Sequence, residues 1–494
     1  MNKLRILDGR PLLLCCATLL LAIAVTWGVF EAMPHLEDEH VYLFQAKIFA
    51  SGRATVDVPS SPDSFFVPYV INTQSKRFGK GFPGYPLILS LGVLVGQPWL
   101  VNAIAAALTL AGVYLLGRDV FDHNTGLLAA ALGAVSPLFI LLSGSLMSHP
   151  TTLAALTFFA WTFMRARRLP ASHPVTFALI AGGLLGWSAI TRPLTAIAIG
   201  TPFAILALTD LIRYRGKVVS RYLGMTIAFV VILSILPLFN FIAAGSPFAN
   251  TYRMWWSYDS IGFGPQFGSV GDGHWYEDVR LNTQIALKEF GTLFLGWPVL
   301  AGWQLAWIPV LLGLVWRPYT KRDWGLMVPP VLLAMAHTTY WAASTARYYS
   351  EGMPFLWILA ARGLIKFGAT TWTRRLVKLA LPIVITWSIL SVINPKFEQD
   401  RGLYGITRHD ANAVAAAGLH NALVFVHGDY WTMYANLSWL NQPILKNNSV
   451  ILAEDRGPAE NSRVIADYPG RPVYYYNREL DSPLFVYAPS LPEP

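Results

Sequence analysis

The sequence predicts an α-helical polytopic membrane protein that carries a small α/β domain at its C-terminal end. Three observations predict it. Charged residues make up 13% of the 494-residue chain and hydrophobic ones 54%, against roughly a quarter charged in water-soluble domains, so much of the surface must face lipid. Apolar segments of bilayer length recur between residues 12 and 393. After about residue 395 the hydropathy drops, and short β-type runs appear between Gly, Pro and Asn turns.

The apolar segments are 12–33, 99–117, 126–143, 150–164, 176–191, 194–211, 222–243, 290–316, 325–343, 353–367 and 376–393, about eleven spans, most near the ~20 residues a bilayer requires. Segment 85–96 is short for a crossing and fits a re-entrant or interfacial helix. Leaving it out places Arg165 to Arg168, Arg213 to Lys217 with Arg221, Arg317 to Arg322, and Lys366 with Arg374 and Arg375 on the cytoplasmic side. Counting it would place them all outside. The expected topology is therefore a multi-pass protein of the plasma (inner) membrane, N-terminus cytoplasmic and C-terminus extracytoplasmic.

Lys3, Arg5 and Arg10 before the first apolar run also open signal peptides. No small-x-small cleavage pattern follows, so an uncleaved first helix is expected. Cys15 and Cys16 are adjacent in that run, where they neither close a loop nor form a spaced metal site. Leu14 is too large to precede a lipoprotein cleavage cysteine. The net charge of +9 lies in short clusters between apolar segments, which argues against nucleic acid as a partner.

With that topology the external side collects loop 34–98, residues 144–149, the Arg192–Pro193 corner, loop 244–289, the turn 344–352 and everything after Asn394. Two domains are expected, a transmembrane domain over residues 1–394 and an extracytoplasmic α/β domain over residues 395–494. Apolar residues at helical spacing from His40 to Ser51 predict an amphipathic helix on the outer leaflet. Loop 244–289 is rich in Gly, Trp, Tyr and Phe, fit to cover a headgroup or glycan, or to serve as a plain interfacial aromatic belt. Runs 423–427, 450–453, 473–476 and 484–487 read as strands, with a helix from Asp410 to Leu419 before them.

Three groups carry candidate chemistry. Glu37, Asp38 and Glu39, flanked by His35 and His40, stand where the chain leaves its first apolar segment. A base that deprotonates a hydroxyl must be ionised yet poorly solvated, which a membrane rim provides. Asp38 and Glu39 are base candidates on that ground; the plain alternative is a charged first turn of a helix. His35, Glu39 and His40 lack the His-Glu-x-x-His spacing of a zinc protease. Lys76, Arg77 and Lys80 precede a Gly/Pro turn and a short helix, an arrangement able to hold a phosphate, although cations beside lipid headgroups are common. His149, Arg192, Arg347, Tyr348 and Glu351 sit at external span ends, where ionisable groups are costly unless used or paired. Their plain alternative pairs Arg347 with Glu351 one turn on and leaves Arg192 capping a helix.

Asp38-Glu39-x-x-Tyr42-x-x-x-Ala46 and the turn Gly81-Phe-Pro-Gly-Tyr-Pro86 are followed by Leu116-Gly-Arg-Asp-Val-Phe121, Ser136-Pro137, Thr191-Arg-Pro193, and Ala346-Arg-Tyr348 with Pro354. In this order the chain resembles the GT-C membrane glycosyltransferases, specifically the family 39 protein O-mannosyltransferase and aminoarabinose-transferase-like group, over most of residues 30–365. The resemblance implies a GT-C fold and transfer of a hexosyl or pentosyl unit from a polyprenyl-phosphate sugar to an acceptor hydroxyl at the outer face. It makes Asp38 the general base with Glu39 beside it, and Lys80 and Arg347 the phosphate ligands. The turn departs from the common Tyr/Pro-Pro-Gly form, which leaves Lys76, Arg77 and Lys80 all open as that ligand. His149, Arg192, Tyr348, Tyr42, Tyr85 and Glu351 are expected to line the substrate pocket.

A polyprenyl phosphate is already a good leaving group, so no essential cofactor and no metal site are expected, although a divalent ion is compatible. One base without a carboxylate nucleophile implies inversion. The acceptor, a glycan, lipid or protein, stays open. The rival readings are a lipid-linked-sugar transporter or flippase, and a surface-polysaccharide polymerase or ligase. Ionisable groups gathered at one face, and no inverted repeat, argue against the transporter.

Overall fold

The computed structural model describes residues 9–168, 172–269, 273–428, 430–480 and 484–486. Lys3, Arg5 and Tyr487 lie outside the described residues. Helix α1 (Gly9–Gly28) leaves Leu12, Leu13 and Leu20 exposed, as a lipid-facing helix does. It leads to α2 (Glu37–Ala50), then to an antiparallel sheet of β1 (Val56–Asp57), β2 (Val70–Asn72) and β3 (Lys76–Gly79) with β3 central, then to α3 (Gly84–Leu94).

The central helices follow: α4 (Leu100–Val120), α5 (His123–Ala134), α6 (Pro137–Gly144), α7 (His149–Arg167), α8 (Pro174–Ala189), α9 (Pro193–Tyr214), α10 (Gly216–Leu233) and α11 (Ile235–Ala244). Proline stands in the first turn of α6, α7, α8 and α9, where its missing N–H costs nothing and its φ is already helical. Next come α12 (Thr251–Trp255), α13 (Tyr276–Leu295), the hairpin β4 (Val299–Leu300) with β5 (Trp303–Gln304), α14 (Ile308–Val315), α15 (Lys321–His337), α16 (Met353–Phe367), α17 (Thr371–Ser388) and α18 (Asn394–Asp400). Fully buried Phe139, Phe159, Phe294 and Trp357 centre one core shared by α6, α7, α13 and α16.

Five helical stretches among the described residues are long and apolar enough to cross a bilayer: Gly9–Gly28, Leu100–Val120, Pro193–Tyr214, Gly216–Ala244 and Thr371–Gly405. Helices α5 and α6, bent by 63°, would make a sixth. The remaining apolar segments fall on shorter helices. Segment 290–316 is broken where Gly296 takes a positive φ of 69° and the β4–β5 hairpin intervenes. Apolar length along the sequence therefore overstates helix length, because hydropathy averages across turns that end helices.

The basic clusters converge at one end of the bundle. Asp119 pairs with Arg165 and, at 3.3 Å, with Arg168; Asp323 takes Lys366 at 3.2 Å, and Arg322 donates to the Val120 carbonyl at 2.9 Å. His149 starts α7 and Arg167 ends it, so its 19 residues separate this belt from the candidate site by about 28 Å.

The expected domain boundary at 394/395 falls inside the helical stretch Thr371–Gly405. The α/β domain begins beyond it, with α19 (His409–Ala416), β6 (Ala422–Val426), α20 (Trp431–Ser438), β7 (Val450–Glu454), α21 (Pro458–Asp467), β8 (Val473–Tyr476) and β9 (Leu484–Val486). Strand β6 is buried at every position and pairs in parallel with β7 and β8; β9 is antiparallel to β8. This domain rests on loop 34–98. Phe65 packs with Leu423 and Phe425, Lys47 Nζ donates to the carbonyls of Trp439 and Asn441, and Trp431 meets the His40 ring at 6.2 Å.

Candidate active site

The acidic triplet occupies the first turn of α2, where negative charge suits the helix dipole. Its members part company in three dimensions. The N-cap position is Leu36, which has no side-chain acceptor, and Glu39 supplies one: Oε2 accepts from the backbone N–H of His35 at 2.8 Å and of Leu36 at 3.2 Å, and Oε1 from Leu146 N–H at 2.8 Å. Glu39 is buried, and burial pushes its carboxyl up from its ordinary value despite those donors. It caps the helix and ties it to the α6–α7 turn, so the expected role beside the base is replaced by a structural one. Asp38 turns to the rim instead. Its Oδ2 lies 3.7 Å from Arg347 Nη2, and the two side chains are 31% and 28% exposed.

Arg347 lies in the 3-10 turn Ala346–Gly352 between α15 and α16. Burial opposes its charge, but the neighbouring Tyr348 and Asp38 outweigh it and hold the guanidinium firmly protonated. The same turn carries Glu351, which is fully buried. Its Oε1 takes His149 Nδ1 at 3.0 Å and Arg192 Nε at 3.1 Å. The expected alternative of an Arg347–Glu351 pair is thus not formed, because the turn points the two side chains at different neighbours. Arg192 also stands 5.9 Å from the Tyr348 ring, and Arg347 5.5 Å from it. Glu351 therefore anchors one arginine while Asp38 faces the other across a shared tyrosine.

The three cations of the second group part company, Lys76 and Arg77 within β3 and Lys80 just past its end. Arg77 is buried under the C-terminal domain, donating to the Phe65 carbonyl and lying 5.3 Å over the Phe44 ring; burial lowers its pKa to about 10. Lys76 donates to the Ile242 carbonyl at 2.5 Å. Neither joins the Asp38 side, so the expected Arg77–phosphate contact has no support in this arrangement. Lys80 does join it. Burial lowers its pKa, while Asp259, then Asp38 and Glu37, counteract that shift.

Lys80 is caged. Its Nζ lies 3.5 Å from the Tyr69 ring centre, 4.7 Å from Trp256 and 5.1 Å from Tyr252, and 3.2 Å from Asp259 Oδ2. Aromatic faces stabilise a desolvated ammonium through their quadrupoles. Asp259 in turn accepts from Tyr340 Oη at 3.1 Å and Trp341 Nε1 at 3.3 Å. Sequence reasoning singled out the aromatic loop 244–289 but not the acid within it. The signal was there: Asp259 is a lone carboxylate directly after Met254-Trp-Trp-Ser-Tyr258.

Two close approaches set these loops against each other. Gly84 N–H donates to the Ile190 carbonyl at 2.9 Å, and a Cβ there would stand 2.2 Å from Thr191 Oγ1, so only glycine lets the turn after Lys80 reach the Arg192 corner. Gly79 N–H donates to Gln45 Oε1 at 2.9 Å, with Val41 2.6 Å from where a Cβ would be. Tyr85, buried, packs edge-on to Tyr42 at 5.1 Å beneath α2. Among the described residues no group of three or more His, Cys, Asp or Glu side chains is placed to hold a metal ion.

Residues 86–237 match the family model described as dolichyl-phosphate-mannose-protein mannosyltransferase. The match runs from α3 to α11 and includes none of Asp38, Lys80 and Arg347. Comparison with curated proteins gives no match. Among solved structures, ArnT from Cupriavidus metallidurans bound to undecaprenyl phosphate superposes with a TM-score of 0.60 at 13% identity, covering 94% of this chain and 92% of that one. Its apo state gives 0.58 at 12% identity, with 95% and 93% covered. The archaeal oligosaccharyltransferase AglB from Archaeoglobus fulgidus gives 0.44 at 13% identity, with 94% and 69% covered. The superposition shows that this chain shares the fold of ArnT, with the family model matching inside its bundle of apolar helices.

Proposed function

We propose that this protein transfers a sugar from a polyprenyl-phosphate donor to an acceptor hydroxyl at the extracytoplasmic membrane face, with inversion. The observation that carries the reading is the Asp38–Arg347 pair, a partly exposed carboxylate facing a partly exposed guanidinium at 3.7 Å, beside caged Lys80. In this scheme Asp38 takes the acceptor's proton while the acceptor oxygen attacks the anomeric carbon. The bond from that carbon to the phosphate oxygen breaks, and the phosphate keeps the electron pair. Arg347 and Lys80 stabilise the negative charge that returns to it.

Beyond 3.5 Å an ion pair is no hydrogen bond, so Asp38 and Arg347 separate around a substrate at small cost. Arg192, Tyr348, Tyr42 and His149 shape the pocket wall in this reading, with Glu351 holding Arg192. ArnT crystallised with undecaprenyl phosphate supports the donor class. About eleven spans belong to the proposal, with the shorter helices counted, the N-terminus cytoplasmic and the α/β domain outside. The test is turnover of a polyprenyl-phosphate sugar by the purified protein in nanodiscs. Release of polyprenyl phosphate with the sugar on an acceptor or on water supports the reading. Movement of intact donor between leaflets without release favours the transporter and sinks it.

A further inference from the structure

The sheet of the C-terminal domain has the order β7-β6-β8-β9, with β6, β7 and β8 parallel. Connections from β6 to β7 and from β7 to β8 run to opposite sides of β6. This makes a topological switch point at the carboxyl end of β6, the position where open α/β sheets receive ligands. The residues that leave the three strands there are not inert. His427 follows β6, Asp455 follows β7, and Tyr475 is the last residue but one of β8. Tyr475 Oη stands 2.7 Å from both His427 Nδ1 and Asp455 Oδ2.

Proton counting orients this triad. Tyr475 has one hydroxyl proton, and an ionised carboxylate can only accept it. The phenol therefore donates to Asp455, and His427 Nδ1–H donates to the phenol. In the neutral imidazole that leaves His427 Nε2 as an acceptor, on a side chain 37% exposed. Asp455 Oδ1 meanwhile accepts from Gly457 N–H at 3.0 Å and from Asn461 Nδ2 at 2.6 Å at the start of α21. The helix start that would attract a phosphate already holds a protein carboxylate. Arg456 and Arg478, the cations at this edge, are paired with Glu454 at 2.8 Å and with Asp410 at 3.7 Å. The edge thus disfavours an anion and offers acceptors and hydroxyl dipoles. Next to it Tyr430 exposes 70% of its surface, an aromatic face of the kind that stacks on pyranose C–H groups.

The crevice is also tethered to the candidate active site. Trp431 is four positions after His427, at most about 14 Å along the chain, and packs against His40, two positions after Asp38 on α2.

We propose that the crevice at the carboxyl edge of β6, floored by His427, Asp455 and Tyr475 and flanked by Tyr430, binds a neutral oligosaccharide, the acceptor chain whose end is presented to Asp38. The acceptor role rests on the transferase reading; the binding site itself does not.

The test uses the full-length protein in nanodiscs and linear tetrasaccharides of mannose, glucose and N-acetylglucosamine, with binding read by saturation-transfer NMR and titration. At least one is expected to bind with a Kd tighter than about 10 mM. Tyr430→Ala and His427→Ala each weaken it about tenfold, with Tm and the release of donor sugar to water unchanged, while His427→Gln, which retains a side-chain acceptor, recovers some of it. No binding by any of the three overturns the proposal, as does equal binding by wild type and both variants. Loss of binding that tracks a fall in Tm, without recovery in His427→Gln, makes the triad a purely structural strand clasp and also overturns it. Absence of donor-sugar release by the wild type, with oligosaccharide binding intact, defeats the transferase reading alone.

Discussion

Asp38 Oδ2 and Arg347 Nη2 lie 3.7 Å apart, contributed by the first turn of α2 and by the 3-10 turn before α16. Folding alone brings these segments together, and Asp38 is the member of its triplet that pairs with Arg347. Replacing it with Asn keeps the shape and removes the base, so kcat should fall by about 10²–10⁴-fold while donor affinity changes little. Single-turnover transfer and donor binding, measured on the same preparation, decide this. An Asp38→Asn protein that keeps most of its activity would sink the assignment.

Glu39→Gln should behave differently. It weakens three charge-assisted acceptor contacts, at a cost of about 1–3 kcal/mol, and lowers Tm. The donor KM and the pH profile of the surviving activity should stay as in wild type. A changed profile at unchanged Tm would reinstate Glu39 as a participant.

Lys80 gives a pH prediction. Its ammonium is complete below its pKa and lost above it, and burial places that pKa below the ordinary lysine range. Affinity for polyprenyl phosphate should therefore fall as the pH rises, before an ordinary lysine would titrate. Lys80→Arg should stay flat over that range, since a guanidinium does not deprotonate. Asp259→Asn should move the midpoint lower still, because Asp259 is the main influence opposing burial. Titration of donor binding against pH in the three proteins checks the order.

Glu351 is a stability residue by its geometry. Burial opposes its ionisation, yet Arg192 and His149 outweigh burial and hold its carboxyl below the usual range. The folded value lies below the unfolded one, so its contribution is present above an unfolded pKa of about 4.3 and disappears as the pH falls through the folded value. Glu351→Gln leaves Arg192 beside a neutral amide, a loss of about 3–5 kcal/mol. Thermal unfolding at neutral and acid pH should show a large deficit at neutral pH that narrows in acid. A constant deficit would contradict the charge account.

Lys47→Ala removes the donor that reaches the Trp439 and Asn441 carbonyls. Loss of about 1–1.5 kcal/mol should raise the undocked population of the C-terminal domain about tenfold. Limited proteolysis in the 401–408 connection reads that directly, and unchanged cleavage would mean that the apolar contacts around Phe65 dominate the docking.

Much of this protein is legible in its sequence because lipid simplifies the code. Helices and loops sort by hydropathy, so the bundle, the aromatic loop and the strands after residue 420 could be read in order. Helix α2, expected as an amphipathic helix on the outer leaflet, is instead packed on several sides and buries Glu39, His40 and Gln45. Helix lengths could not, since Gly296 and the β4–β5 hairpin end a helix inside a continuous apolar run. The candidate site was legible as residue types expected on one face: Asp38, Lys80, His149, Arg192 and Arg347.

Their partners were decided elsewhere. Composition and period pointed to a polytopic helical protein with α/β elements after about residue 395, and the order of short motifs pointed to Asp38. Only tertiary structure decided that Glu39 is a cap, that Arg77 lies under the C-terminal domain, that Arg192 serves Glu351, and that Lys80 is held by Asp259. The reason is physical. Hydrophobic burial reads out as a local periodicity, whereas the fate of a charge depends on whichever group the fold brings within about 4 Å, and residues far apart in the chain supply it.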